Sequence, residues 1–353
     1  MIWKWPWHPF LNPILWKYNQ QIWWYDDEQC IEWSNEGKKY LEYSESPKDC
    51  DYFVYPKIFK LDNYNYIKCY IEKAKKYNKK VIIFSIDDMD IPYNFENTIV
   101  FRTSFSKWHK WEFWMPCFSK DLSKIIPREE LNIHKNDSIS IWYCGYTWYD
   151  SRKMKIIYNI LFVRNLIFKN KFTKHFIFIF HIHKLYFYLI HAWLWRYYRQ
   201  KMHKACLRIK KYKYNFIIRH TNLDPRNKDK AKEEYIKNII DNDFPIVIRG
   251  SWNYSFRLYE VMSLWKIPIF IDTNCVLPFN DEIDYKNLFI WVPFEDIKNI
   301  EKYIDDYICK NENNIDDITK KIRDIYEKRL SMTWFYKHII AKLSKNEYSI
   351  ISS

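Results

Sequence analysis

Residues 244–292 have the sequence FPIVIRGSWNYSFRLYEVMSLWKIPIFIDTNCVLPFNDEIDYKNLFIWV, and this stretch decides the fold. It begins with an apolar run rich in β-branched residues, 244–248, which is typical of a buried parallel strand. After a polar loop, apolar residues recur at helical spacing over 256–262, directly behind Ser255, a suitable N-cap. A second apolar run covers 267–271. The stretch therefore predicts a βαβ unit whose loops lie at the carboxyl edge of a parallel sheet.

The loop between the first strand and the helix is suited to an anion. A helix N-terminus presents free backbone N–H groups, which can bind a phosphate. Arg249 before the loop and Arg257 inside the helix add fixed positive charge. Glu260 follows Arg257 by one helical turn, so it either pairs with that arginine on the surface or accepts hydrogen bonds from a sugar diol beside the phosphates. Spacing alone leaves both interpretations open.

An ordered set of residues runs through the same stretch. Its members are Arg249, Gly250, Ser251, Asn253, Tyr254, Ser255, Arg257 and Glu260, then Ile267, Pro268, Ile269, Ile271, Asp272 and Thr273, and finally Leu277, Pro278 and Phe279. This pattern resembles the donor-binding core of the exostosin-like glycosyltransferases. The resemblance implies the GT-B architecture, an α/β fold of two facing Rossmann-like domains with parallel sheets. It also implies a nucleotide-sugar donor held mainly by the C-terminal domain, and transfer with inversion at the anomeric carbon.

The resemblance further implies a donor-binding site. Glu260 would contact the donor ribose, while Arg257 and the 250–255 turn would hold the diphosphate. The full predicted donor-binding set is Arg219, Arg249, Gly250, Ser251, Asn253, Ser255, Arg257, Glu260 and Asp272. We expect no cofactor and no metal, because enzymes of the GT-B fold usually work without them.

An acidic loop, Asp-Asp-Met-Asp at 87–90, follows a predicted strand in the N-terminal half. An Asp-x-Asp sequence can hold a divalent metal against a diphosphate, but a solvated acidic loop is the commoner explanation. One of these carboxylates can instead face the cleft and accept the proton of the acceptor hydroxyl. We choose Asp88 as the candidate catalytic base.

At 353 residues the chain is long enough for two domains. We predict an N-terminal Rossmann-like domain on the acceptor side at 1–135, a nucleotide-sugar-binding domain at 138–330, and a C-terminal helix and tail at 331–353. The spacing of Ile67, Tyr70, Ile71 and Ala74 predicts an amphipathic helix in the first domain. The last helix, about 318–343, is expected to cross back to the N-terminal domain, as GT-B chains tend to do.

The net charge and the cysteine content limit the classes of binding partner and the cellular compartment that we expect for this protein. Lysine and arginine number 57 against 43 aspartate and glutamate, a formal net charge of +14, which suits nucleotide-sugar phosphates, an anionic membrane or nucleic acid. The eight cysteines are scattered, which indicates neither a zinc site nor a disulfide framework. The first 20 residues contain no apolar run typical of a secretory signal. The sequence therefore predicts a cytoplasmic protein.

The run 176–195 is apolar and has about the length of a membrane span. It contains His181, His183, Lys184 and His191, whose burial in lipid would be costly, so we do not expect it to span. A basic, aromatic flank follows at 196–213. Two interpretations stay open: a peripheral contact with the anionic inner face of the membrane, which we favour narrowly, or a buried helix with a solvated basic face.

Glycine is scarce and tryptophan is abundant. The chain has 3 glycines and 18 tryptophans, whereas a typical chain of this length has about 25 glycines. Trp252 lies in the phosphate loop, Trp265 stands where a left-handed residue usually ends a helix, and Trp334 lies where the resembled family commonly has glycine. Because UGA differs from a glycine codon by one base, we hypothesise that the source organism decodes UGA as glycine. The alternative is an aromatic-rich lineage that tolerates tryptophan at these positions.

The resemblance to the exostosin-like enzymes implies that the protein is a glycosyltransferase. It would move a hexosyl or pentosyl group from a nucleotide-diphosphate donor to a hydroxyl of a glycan acceptor, in surface polysaccharide or glycoconjugate synthesis. The first alternative is a catalytically inactive family member that serves as a partner subunit, which a genuine tryptophan at 252 favours. The second is a basic nucleic-acid-binding protein, but no recognition motif for nucleic acid is present and we expect no such partner.

Overall fold

The computed structural model describes residues 2–3, 35, 39–40, 43–44, 46–55, 64–85, 93, 95–104, 112–117, 119, 121–131, 139–147, 183–219, 228–250 and 253–344. The chain is an α/β protein with two parallel sheets and surrounding helices. This arrangement is compatible with two Rossmann-like domains. The strands of the first sheet fall inside the predicted 1–135 segment, and those of the second fall inside 138–330.

The elements follow in chain order. The strands are β1 (Ile2–Trp3), β2 (Tyr43–Ser44), β3 (Tyr52–Val54), β4 (Lys80–Ser85), β5 (Thr98–Arg102), β6 (Phe113–Trp114), β7 (Ser140–Tyr146), β8 (Lys213–Arg219), β9 (Phe244–Val247), β10 (Ile269–Asp272) and β11 (Ile290–Pro293). The α-helices are α1 (Tyr64–Lys75), α2 (His183–Cys206), α3 (Lys228–Asp241), α4 (Phe256–Ser263), α5 (Tyr285–Leu288), α6 (Ile300–Asn311), α7 (Ile315–Ile325) and α8 (Met332–Ser344). Single 3-10 turns lie at Leu122–Lys124 and Arg128–Glu130, a longer one at Phe294–Asn299, and a π-helical turn at Tyr326–Leu330.

The N-terminal sheet has the strand order β2-β1-β3-β4-β5-β6, and each pairing is parallel. Helix α1 lies between β3 and β4 in the chain and forms the crossover connection that two parallel strands require. The predicted inward face of this helix is confirmed, because Ile67, Tyr70, Ile71 and Ala74 are all buried in one core with Phe53 and Val81.

The C-terminal sheet has the order β11-β10-β9-β7-β8 and is also parallel throughout. The predicted βαβ unit is confirmed: β9 leads through α4 to β10, and Ile269 pairs in parallel register with Ile246. The strands β9 and β10 are almost wholly buried, as their continuous apolar sequences predict for parallel strands covered on both faces.

The C-terminal segment differs in part from the prediction of one helix over about 318–343. Helix α7 passes into the π-helical turn, and Ser331 then adopts an extended conformation (φ −71°, ψ 152°) before α8 begins. Helix α8 packs Phe335 and Ile339 against Ile82 and Phe101 of the N-terminal sheet. The predicted return of the last helix to the N-terminal sheet is therefore confirmed, while its continuity is wrong at Ser331.

Helix α2 contains part of the apolar run that resembled a membrane span. In the segment that follows this run, Met202, Ala205 and Cys206 of the same helix are buried in the core of the C-terminal sheet. Lys201 and Lys204 are exposed on the same helix. Across the described ranges, every helix is too short or too polar to cross a bilayer. The peripheral membrane contact stays a prediction.

Trp265 adopts a left-handed backbone conformation, with φ 54°. It follows α4 at the position usually taken by glycine, and Lys266 N donates to Val261 O (3.2 Å) in the pattern of a Schellman motif. The predicted left-handed position is therefore confirmed. A bulky side chain is strained at positive φ. Trp334 differs, since it lies inside α8, where the backbone has no need of glycine, and Trp252 lies outside the described residues.

Two substitutions at position 265 isolate the backbone strain. Trp265→Gly and Trp265→Ala both remove the indole and its contact with Arg323, whose guanidinium carbon lies 5.0 Å from the ring centroid. We expect the glycine variant to be more stable than the alanine variant by about 1 kcal/mol, because only alanine keeps a Cβ at positive φ. Urea unfolding of the two variants measures the difference. A more stable alanine variant, the order found inside helices, would contradict this prediction.

The decoding hypothesis has its own test. Protein isolated from the source organism is digested, and the mass of the peptide that contains position 265 is measured. We expect the mass of glycine at this position, since the backbone there has the conformation that glycine adopts without strain. A tryptophan mass would reject the hypothesis and leave the strain as a property of the native chain.

Candidate functional site

A cleft lies at the carboxyl edge of the C-terminal sheet, where β9 and β10 end. Its polar lining consists of Arg249, Asn253, Ser255 and Thr273 from this sheet and its loops, and of Thr103 from the N-terminal sheet. The rest of the lining is mostly apolar and includes Trp114, Val247, Leu258, Phe270, Leu277 and Pro278. We call it the sheet-edge cleft. Ligands of open α/β sheets commonly bind at such an edge, because loops from several strands meet there.

The loop after β9 is held closed by its own polar groups. Gly250 N donates to Tyr254 O (3.2 Å), which brings the two ends of the loop together. Asn253 is buried, and its Oδ1 accepts hydrogen bonds from Arg249 Nη1 (3.2 Å) and Thr273 Oγ1 (3.3 Å). Asn253 therefore fixes the Arg249 guanidinium and joins the loop to the residue after β10.

Helix α4 begins at the cleft, as predicted, with Ser255 at the N-cap in an extended conformation (φ −139°, ψ 125°). Among the described residues, the Ser255 side chain makes no capping hydrogen bond, and this half-exposed residue lines the cleft. The Ser255 hydroxyl is therefore available to water or to an anion at the N-terminus of the helix.

The Arg257 side chain points toward the ends of the strands. Its Nη2 donates to Cys144 O and its Nη1 to Ile246 O (3.4 Å), and within the described part of the chain its buried Nε has no partner. Burial lowers the pKa of Arg257, but the neighbouring phenols of Tyr235 and Tyr143 raise it, and the net pKa lies above the ordinary value. Arg257 is thus a permanent positive charge. It lies beside the residues that line the cleft rather than among them.

Arg199 of α2 also lies beside the loop that follows β9. Its Nε donates to Arg249 O (3.1 Å), and burial lowers its pKa, with further lowering by the charges of Arg257 and Arg249. Arg199 lies in the basic flank 196–213, and its hydrogen bond to the loop after β9 was not predicted from the sequence. Sequence gave no signal for it, because nothing local distinguishes Arg199 from the other cations of the flank.

Glu260 is buried, with 9% of its surface exposed, so the predicted surface pair with Arg257 is wrong. Its Oε2 accepts a hydrogen bond from the Tyr235 hydroxyl (2.5 Å) on α3. Burial raises the pKa of Glu260, while the Tyr235 hydrogen bond and the charge of Arg257 act in the opposite direction. The ribose contact stays a prediction, and in this structure the carboxylate is engaged by Tyr235.

The remaining predicted site residues have other surroundings or lie outside the described residues. Arg219 Nη2 donates to Ala231 O (2.8 Å) and lies 3.6 Å from Glu234, both on α3. Asp272 Oδ1 accepts from Asn274 N (2.8 Å), which shapes the turn after β10. The predicted residues that the structure does not describe are Asp88 and Ser251. In the part of the chain that it does describe, no cluster of three His, Cys, Asp or Glu side chains could hold a metal ion.

The arrangement gathers positive charge and hydrogen-bond donors at one sheet edge, which suits a phosphorylated ligand. No protein-family model matches this chain, and no curated protein matches it. Membership of the exostosin-like family therefore stays a prediction. It rests on the motif residues between 249 and 279.

The buried Glu260 predicts a pH-dependent stability. Its pKa in the folded protein is raised above 4.5, so the folded state holds the proton more tightly than the unfolded chain. The resulting stability is fully present below pH 4.5 and is lost as the pH rises through the folded pKa. Glu260→Gln keeps an acceptor for Tyr235 but does not titrate. We expect the free energy of unfolding of the wild type to fall relative to this variant as the pH rises from 4.5 toward neutrality.

Tyr235→Phe is the matched control for this experiment. It removes the hydrogen bond that lowers the pKa of Glu260, so the loss of stability should extend to higher pH than in the wild type. Urea unfolding at a series of pH values measures all three proteins. Parallel pH profiles for the wild type and Glu260→Gln would contradict the prediction.

Proposed function

We propose that this protein is a glycosyltransferase of GT-B architecture that transfers a sugar, with inversion, from a nucleotide-diphosphate donor to a hydroxyl of a glycan acceptor. The reaction would serve surface polysaccharide or glycoconjugate synthesis. The donor diphosphate binds at the sheet-edge cleft, and the acceptor enters from the side of the N-terminal sheet. The enzyme works in the cytoplasm, and the exposed Lys201 and Lys204 of α2 suit contact with an anionic membrane face.

The observation that carries the proposal is a set of three arginines near the N-terminus of α4: Arg249 lines the cleft, Arg199 Nε donates to Arg249 O (3.1 Å), and Arg257 lies in the first turn of the helix. Arg199, Arg249 and Arg257 come from three different elements, and the charges of the last two lower the pKa of the first. Like charges held together in a partly buried region cost free energy. A bound diphosphate would offset this repulsion, and it would accept hydrogen bonds from the Ser255 hydroxyl and the first turn of α4.

The same groups can assist the chemistry of transfer. When the bond between the anomeric carbon and the diphosphate breaks, negative charge develops on the leaving oxygen. Fixed cations and helix N–H groups that are already in place stabilise this charge without reorganising. We assign that role to Arg249, Arg257 and the α4 N-terminus, and the role of base toward the acceptor hydroxyl to Asp88.

Ser255→Ala tests the diphosphate site. The wild-type side chain makes no capping hydrogen bond among the described residues, so we expect the stability of this variant to change by less than about 0.5 kcal/mol. Its affinity for UDP or GDP should fall about three- to tenfold, because one hydrogen bond to a charged ligand is lost. Isothermal titration with UDP and with GDP measures the affinity, in the presence of EDTA because the site is proposed to need no metal.

Ser331→Ala is the matched control. Ser331 Oγ donates to Glu327 O (2.8 Å) and accepts from Trp334 N (3.3 Å), so its loss should cost about 1 kcal/mol of stability and leave nucleotide affinity unchanged. Both serine variants are made in the chain that has tryptophan at positions 252, 265 and 334 and in a version that carries Trp252→Gly, Trp265→Gly and Trp334→Gly. If neither parent protein binds UDP or GDP, the proposed function is rejected.

A further inference from the structure

Thr103 directly follows β5 and lines the sheet-edge cleft from the N-terminal sheet. The residue is 5% exposed, and among the described residues its buried Oγ1 has no hydrogen-bond partner. A buried hydroxyl without a partner costs free energy, because it has given up its hydrogen bonds with water. When such a group lines a cleft, a ligand hydroxyl or an ordered water can supply the missing bond.

The backbone that carries Thr103 is fixed by its neighbours. Thr103 N donates to Ser85 O of β4 (3.3 Å). Arg102, one residue earlier, forms a buried ion pair with Glu112 (2.5 Å) and lies 4.7 Å from the ring centroid of Tyr93. The charged groups next to Thr103 are therefore engaged with each other. Thr103 therefore contributes a neutral hydroxyl to the cleft, and its backbone is held in place by β4.

The contributions of the two sheets to the cleft differ in chemistry. The C-terminal side supplies Arg249 and the N-terminus of α4, which suit a diphosphate. In an in-line displacement the attacking hydroxyl approaches the anomeric carbon from the side away from the leaving group, so the second substrate needs a different set of contacts. A neutral hydroxyl such as that of Thr103 suits a carbohydrate hydroxyl, since each can donate to and accept from the other.

We infer that Thr103 Oγ1 binds one hydroxyl of a neutral glycan acceptor. The inference rests on the proposed function. In the reaction, a bond forms between the acceptor oxygen and the anomeric carbon, and the bond from that carbon to the diphosphate oxygen breaks. The acceptor proton passes to Asp88, the proposed base. Thr103 positions the acceptor and is itself unchanged.

Thr103→Val tests the inference, because valine keeps the shape and removes the hydroxyl. The donor is whichever of UDP-glucose, UDP-galactose, UDP-N-acetylglucosamine and GDP-mannose the wild type hydrolyses fastest. The acceptor probes are methyl glycosides of neutral hexoses and pentoses, and release of UDP or GDP is measured. We expect the KM for the best glycoside to rise about five- to tenfold, with kcat within about twofold of the wild type. Thr103→Ser should restore the KM to within about twofold.

Thr319→Val is the matched control for the loss of a buried threonine hydroxyl. Thr319 is buried, and its Oγ1 donates to Asp316 O (2.8 Å). This variant should unfold at a lower urea concentration than the wild type, with the KM for the glycoside unchanged. Thr103→Val should unfold at the same urea concentration as the wild type or at a higher one, because it removes no hydrogen bond from the described structure.

The possible outcomes separate this inference from the proposed function. An unchanged KM in Thr103→Val overturns the inference, and so does a loss of affinity for free UDP, which would assign Thr103 to the donor. A wild type that hydrolyses a donor but is stimulated by none of the glycosides also overturns it. A wild type that binds neither UDP nor GDP rejects the proposed function, and the acceptor assignment falls with it.

Discussion

Arg257 joins the ends of two parallel strands to the helix that follows one of them. Its guanidinium donates to Cys144 O of β7 and to Ile246 O of β9. A guanidinium in this position needs neighbours that stabilise its charge. The Tyr143 ring does so by a cation–π contact, with its centroid 4.8 Å from the guanidinium carbon. Gly145 makes room for that ring, since a Cβ there would lie 2.7 Å from the Tyr143 hydroxyl oxygen. The position of α4, and so the shape of the cleft, depends on this contact.

Sequence periodicity was sufficient for the parts of the fold that local chemistry determines. The buried strands around α4 and the inward face of α1 follow from the spacing of apolar residues. The left-handed conformation of Trp265 follows from its place directly after a helix. The break at Ser331 was missed, because the interruption shows only in the extended backbone of one serine. Local pattern therefore predicts elements better than it predicts their ends.

The candidate site was predicted less completely than the fold. The N-cap position of Ser255 was confirmed because it depends on neighbouring residues alone. The directions of Arg257 and Glu260 were not predictable, since they depend on carbonyl groups of β7 and on Tyr235 of α3, which are distant in sequence. The same reason explains Arg199, whose proximity to the loop after β9 comes from the packing of α2 on the sheet. Side-chain direction is a tertiary property, and spacing along one helix does not determine it.

Helix α4 has different partners at its two ends, and this asymmetry links stability to the proposed chemistry. At the C-terminal end, Arg323 donates to Ser263 O (2.7 Å) and also forms two hydrogen bonds with Asp121 (2.7 and 3.0 Å). A cation at this end complements the helix dipole and anchors the segment between the two sheets to α4. At the N-terminal end, the Ser255 hydroxyl makes no capping bond within the described residues. The helix is therefore fixed by protein at the end where positive charge is favourable, and its other end is the one to which the proposed function assigns the donor diphosphate.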